Sequence, residues 1–313
     1  MNLQEARRFL RQNFIFYFTG ALAVLGLKCF YRNAACEDLI WILAPIAKWV
    51  EILSGIPFEY APGAGYVNHS LRLLIAPSCS GVQFMIITFA MLTFSFVHRF
   101  VHRIPQAEPN KSSILPSGLL KGFFWIIASI LISYVFTVLV NGFRILVAIY
   151  LPQILGSVVY SGFLTPERLH TMIGIVVYFT ALLAVYRLVE SLFSWITTLR
   201  ETKGQRNSLQ THHNTAPTTQ KEQAQSLQKE VRPPHFLRKC LSPIFWYFTI
   251  ALGIPFLNNA GRKTHGKFSE FTILILCCCT VVLTLYGLIS FLKSLFKKIL
   301  PKGTAGQKGD YSK

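Results

Sequence analysis

Apolar runs long enough to sit in hydrocarbon alternate along this chain with short polar or basic breaks, and that rhythm sets its element list. Phe14–Leu27 is the first run, behind Arg7, Arg8 and Arg11. Others cover Gly81–Val97, Leu119–Val140 and His170–Val189, and two more, Leu241–Asn258 and Phe268–Leu292, stand near the C-terminus. A helix needs about 20 apolar residues to cross the bilayer core, and these runs approach or exceed that length. They lack the alternation of a barrel strand, and backbone amides in lipid must be satisfied within their own segment, so each run predicts a helix. Two apolar stretches are harder to place. Leu39–Leu53 is short and carries Pro45, Lys48 and Glu51, and Ile145–Leu155 is broken by Pro152. Both read as interfacial or re-entrant helices, with a full crossing by Leu39–Leu53 as the alternative. The expected fold is therefore all-α: a polytopic membrane bundle of about six spans plus two interfacial or re-entrant helices.

The connections divide the chain further. Gly55–Ala76 holds Pro57, Pro62, Gly63 and Gly65 and reads as a loop, as does Gly156–Arg168. Arg200–Pro234 is rich in Gln, Thr, Asn and charge, with few large apolar residues. Such a segment cannot bury enough apolar surface to offset the entropy of ordering, so it predicts a flexible cytoplasmic linker. The expected domains are a transmembrane core over 1–199, a disordered linker over 200–240, a transmembrane hairpin over 241–300 and a basic tail over 301–313. Truncation after Arg200 is expected to leave a foldable core.

Composition sharpens this picture. The chain is 52% hydrophobic, with a net charge of +18 over 313 residues. Its basic residues stand between the spans, which favours topogenesis over nucleic-acid binding. With the N-terminus inside, three Lys or Arg precede the first span, four lie from Arg99 to Lys121, nine from Arg187 to Lys239 and six from Lys293 onward. That is 22 of the 31, the asymmetry of the positive-inside rule. This orientation sets Cys79, Arg144 and His170 at the outer ends of three different spans. Seven cysteines, three of them adjacent at Cys277–Cys279, make no disulfide framework, and no His/Cys spacing suggests a metal. No cofactor is expected. The first run lacks a small-residue cleavage site and reads as an anchor in the plasma membrane.

Candidate chemistry centres on Pro77-Ser78-Cys79-Ser80-Gly81-Val82-Gln83-Phe84, a turn-like run that presents a thiol at the edge of a span. Taken singly, each residue has a plainer explanation. A free cysteine packs as a small hydrophobe, an arginine at a span end snorkels, and a histidine there can cap the helix. Their common depth is what singles them out. Ser-Cys-Ser-Gly before one span, Asn141-x-x-Arg144 closing the next and His170-x-x-x-Gly174 opening a third resemble the exosortase/archaeosortase family, over roughly Phe14 to Val189. The resemblance implies a multi-pass membrane cysteine transpeptidase that processes proteins bearing a C-terminal sorting signal. Cys79 would then be the nucleophile, His170 the proton carrier and Arg144 the electrostatic stabiliser. Asn141, Gln83 and Ser80 would support them. The expected partners are membrane-anchored protein substrates and the lipid bilayer, with no nucleic acid.

Two other classes fit the hydropathy pattern. A transporter would place ionisable residues at span centres, where this sequence has almost none. A non-catalytic membrane subunit for surface polymer export would need no cysteine in a turn. Substitution of Cys79 separates both from an enzyme.

Overall fold

The computed structural model describes residues 3–101, 117–156, 165–211, 235–253, 256 and 265–299. Helix dominates, as the apolar runs require. The elements are α1 (Leu3–Asn33), α2 (Ile40–Ser54), a three-stranded sheet, α3 (Val82–Val101), α4 (Ser117–Leu155), α5 (Pro166–Thr211), α6 (His235–Phe248) and α7 (His265–Ile299). Five helical segments among the described residues are long and apolar enough to cross a membrane: Asn13–Asn33, Pro77–Arg99, Leu119–Leu155, Pro166–Leu199 and Phe268–Lys293. Of the sixth expected span, Leu241–Asn258, the described residues form the shorter apolar helix Leu241–Gly253, and 254–255 and 257–258 lie outside them.

The chain divides into two compact units, Met1–Lys263 and Thr264–Lys313. The first holds every candidate residue. At its centre α3 lies antiparallel to α4, and the contact is close because small polar side chains line it. Ser129, Ser133, Thr137 and Asn141 recur every fourth residue on α4 and are fully buried, as are Thr88 and Thr93 on α3. Small residues let helix backbones approach in lipid, where no hydrophobic force drives helices together. The Ser133 and Thr137 hydroxyls donate to the carbonyls of Ser129 and Ser133 one turn earlier. At the end remote from Cys79, Phe96, Trp125 and Phe193 join α3, α4 and α5 through aromatic contacts, and the Trp125 indole donates to the Leu92 carbonyl.

Several expectations are revised by packing. α2 runs beside α4, with Trp41 stacked on Tyr134 and Trp49 against Gly142. Its Ile42, Leu43, Ile46 and Val50 are fully buried. At 15 residues, about 22 Å, it is too short to cross. Ile145–Leu155 is no separate interfacial helix: α4 continues through Pro152 as one helix of 39 residues. Proline removes one backbone hydrogen bond there. The packing of Val147, Ala148, Leu151 and Leu155 against Leu169 and Ile173 of α5 holds the extension in place. The segment read as a loop, Gly55–Ala76, contains an antiparallel meander, β1 (Glu59–Ala61), β2 (Gly65–Asn68) and β3 (Leu73–Ile75), in that spatial order. Tyr66 faces both Tyr60 and Ile75 across it. Buried Asn68 pins the meander, donating to the Pro57 carbonyl and accepting from the Leu71 amide.

The linker boundaries shift as well. α5 is helical to Thr211 and α6 begins at His235, so only 212–234 of the expected linker falls outside the described residues. From Arg200 to Gln210 the sequence has no proline, and its Glu, Lys, Gln and Arg residues favour helix, so an established helix propagates through it. The tail over 301–313 also lies outside the described residues. Residues 241–253 are not a peripheral arm. Trp246 stacks on Phe94 of α3, Tyr247 meets Phe179 of α5, and Ser242 hydrogen-bonds Ser95. Two truncations should therefore differ. Ending the chain at Lys263 is expected to preserve membrane accumulation, whereas ending it at Thr211 strips these contacts and should lower it several-fold. Equal levels of the two, by immunoblot of membrane fractions, would show that α6 is dispensable to the bundle.

Candidate active site

The site is built where the beginning of α3, the upper half of α4 and the beginning of α5 converge. Ala76 is extended, and Pro77 opens a 3-10 turn over Pro77–Cys79, where a fixed φ and a missing N–H carry no penalty. The Cys79 amide donates to the Ala76 carbonyl and the Ser80 amide to that of Pro77. Gly81 then takes φ +71°, a conformation open to glycine without a Cβ clash, and redirects the chain into α3. A methyl at Gly81 would also come within 3.1 Å of Asn141 and Thr137. The turn is thus clamped between its own hydrogen bonds and α4, leaving the Cys79 thiol half-buried at the head of the span.

Asn141 secures the turn from the other side. Its Nδ2 donates to the Cys79 carbonyl, and its Oδ1 accepts from the Tyr178 hydroxyl at 2.6 Å. Tyr178 stacks on Phe84, with ring centroids 4.7 Å apart, so one tyrosine ties α5 to both partners. Three residues on, Arg144 shares a face of α4 with Asn141. Its guanidinium lies 5.4 Å from the Tyr178 ring centroid, and its Nη2 is 2.8 Å from His170 Nε2. A guanidinium only donates, so His170 Nε2 accepts and a neutral imidazole carries its proton on Nδ1. Gly174, one turn after His170, leaves the room Arg144 occupies: a methyl there would come within 3.1 Å of Arg144 Nε. That Nε is buried and has no hydrogen-bond partner among the described residues.

The thiol meets the same group. His170, Ser78 and Arg144 are the side chains that act on it, Arg144 through its charge. Residues separated by 65 and 26 positions in sequence thus form one cluster, with Arg144 almost fully buried at 8% exposure and His170 exposed. The arrangement brings a thiol, an imidazole and a buried guanidinium together at one end of the bundle.

The supporting residues fare differently. Asn141 is placed directly against the turn. Ser80 is fully buried and its hydroxyl has no hydrogen-bond partner among the described residues, so it makes no bond to the thiol. Gln83 is half-buried on α3 and makes no side-chain hydrogen bond among the described residues. Tyr178 was not anticipated, since a tyrosine inside an apolar run carries no sequence signal of a partner on another helix. Ser78 was equally silent.

The remaining cysteines give a contrast. Cys29 and Cys277 are exposed rather than packed, Cys36, Cys278 and Cys279 are buried, and the Cys240 side chain lies outside the described residues. Burial and the neighbouring Glu37 carboxylate push the Cys36 thiol up from its ordinary range, so it stays protonated. A membrane-impermeant maleimide is therefore expected to modify Cys79 about tenfold or more faster than Cys36 at neutral pH. Peptide mass spectrometry of the labelled protein checks this, and equal rates would argue against an activated Cys79. Among the described residues no group of three His, Cys, Asp or Glu side chains is arranged to hold a metal ion. Comparison with known proteins finds no matching family model, no matching curated protein and no matching solved structure.

Proposed function

We propose that this chain is a membrane-embedded cysteine transpeptidase of the exosortase/archaeosortase kind. It would cleave the C-terminal sorting signal of exported proteins at the outer face of the plasma membrane and pass them to a surface acceptor. The observation that carries the reading is the hydrogen bond between Arg144 and His170 beside the Cys79 thiol, three residues from three different spans.

The chemistry follows from what each group can do. A thiolate is the competent nucleophile, and a fixed guanidinium beside it favours that form, more strongly where water is scarce. Cys79 Sγ would attack the scissile carbonyl carbon, giving a tetrahedral oxyanion. Arg144 stays protonated and serves as its electrostatic partner. His170 Nε2 would take the thiol proton, and this step breaks its bond with Arg144 and frees guanidinium donors for the new anion. The same imidazolium would then protonate the departing amine, leaving a thioester at Cys79. An incoming nucleophile, deprotonated by His170, would release the acyl group and restore the thiol. Asn141 and Tyr178 take no part in these transfers. Their work is to hold the turn at a fixed distance from Arg144.

Co-expression tests the reading. A protein ending in a short motif, one span and a basic tail should lose that tail only when the full chain is present. If such proteins retain their C-termini in its presence, the proposal fails.

A further inference from the structure

Opposite the candidate site, at the other end of α3, α4 and α5, the surface carries two cavities of different character that share Arg99 and Phe193. One is an apolar groove of about 780 Å³, lined by Phe123, Trp125, Ile132 and Leu192 among others, with Lys121 at its mouth. The other, about 510 Å³, is polar, lined by Ser191, Ser194, Thr197 and the Arg187–Glu190 pair. Arg99 stands where they meet. Its guanidinium is held over Phe96 and Phe193, 5.0 and 5.7 Å from their ring centroids. Neither Arg99 nor Lys121 has a hydrogen bond or an ion pair among the described residues.

We propose that this pair of cavities is a binding site for one anionic phospholipid. The phosphate would sit against Arg99 and Lys121, the rest of the headgroup in the polar cavity, and an acyl chain in the groove. Charge supports an anionic occupant: among the described residues the mouth holds Arg99, Lys121 and Arg187 against one carboxylate, Glu190, which Arg187 engages at 3.7 Å. Depth supports a lipid rather than a transmembrane helix. From Leu120 to Ile132 the groove follows 13 residues of α4, about 18 Å. That is little more than half of the ~30 Å hydrocarbon core, about one leaflet deep, and a partner helix would need the whole. The positive-inside orientation makes it the inner leaflet, where anionic headgroups attract basic residues near the surface. This inference does not depend on the transpeptidase reading.

The test uses the full-length protein in phosphatidylcholine nanodiscs doped with phosphatidylglycerol, followed by release and native mass spectrometry. Wild-type protein is expected to retain one phosphatidylglycerol in preference to phosphatidylcholine, with retention falling as salt rises. Arg99→Gln combined with Lys121→Gln should weaken retention by about tenfold or more. Leu192→Trp, which narrows the groove without altering charge, should also expel the lipid. Equal retention of the two lipids by wild-type protein overturns the proposal without any variant. So does unchanged retention in a folded double variant, or displacement by inorganic phosphate alone, which would make this a phosphate site.

Discussion

Cys79→Ser is expected to abolish processing of a C-terminally anchored substrate while leaving the protein in the membrane at its normal level. The substitution changes one atom on a side chain that is half-buried in a preformed turn. The Asn141 bond to its carbonyl and the Pro77–Gly81 turn do not depend on that atom. Folding should therefore be indifferent. Chemistry should not be, because a serine hydroxyl ionises far less readily than a thiol and a neighbouring cation cannot close that gap. Loss of cleavage at unchanged abundance, read by immunoblot of substrate and enzyme together, is the expected pattern. Equal loss of both would point to a packing role for Cys79.

The second large effect falls on the Arg144–His170 pair. Arg144→Lys keeps the charge but replaces a planar fork with a single ammonium on a different stem. It cannot reproduce the Nη2 contact to His170 while lying against Gly174 and over Tyr178. Activity is expected to fall by about a hundredfold or more, the usual consequence of removing a preorganised oxyanion partner. His170→Ala should stop proton transfer to the leaving group, with a loss of similar size. Removing the charge also tests what Arg144 does to the thiol. Without the fixed guanidinium, the pH profile of Cys79 alkylation should move to higher pH in a neutral variant such as Arg144→Gln. An unmoved profile would mean that Arg144 does not act on the thiol.

How far these residues could be read from the sequence depends on the range of the interaction that fixes them. The spans were legible because burial in lipid is a property of each run by itself. Cys79, Arg144 and His170 could be grouped because the topology expected from charge bias puts them at one depth. Their contact could not be read, since it rests on Gly81 and Gly174 leaving room at two helix crossings. The meander escaped notice because its strands are three or four residues long and interrupted by proline and glycine, with no period to detect. Pro152 was a misleading breaker: one lost hydrogen bond is outweighed by the apolar packing of Leu151 and Leu155 on α5. The same holds for Trp246, whose stacking on Phe94 binds α6 to the bundle although a long polar segment precedes it in sequence.

The account turns on a covalent bond at one sulfur, and peptide mass spectrometry of Cys79 during turnover tests it most directly. Full-length protein is co-expressed with a C-terminally anchored substrate and digested under acidic conditions that preserve thioesters. The predicted result is a Cys79 peptide carrying the substrate's new C-terminus, lost on treatment with hydroxylamine and absent from Arg144→Lys. Substrate cleaved at wild-type level by Cys79→Ala, or cleaved by the wild type while Cys79 is recovered unmodified throughout, would contradict it.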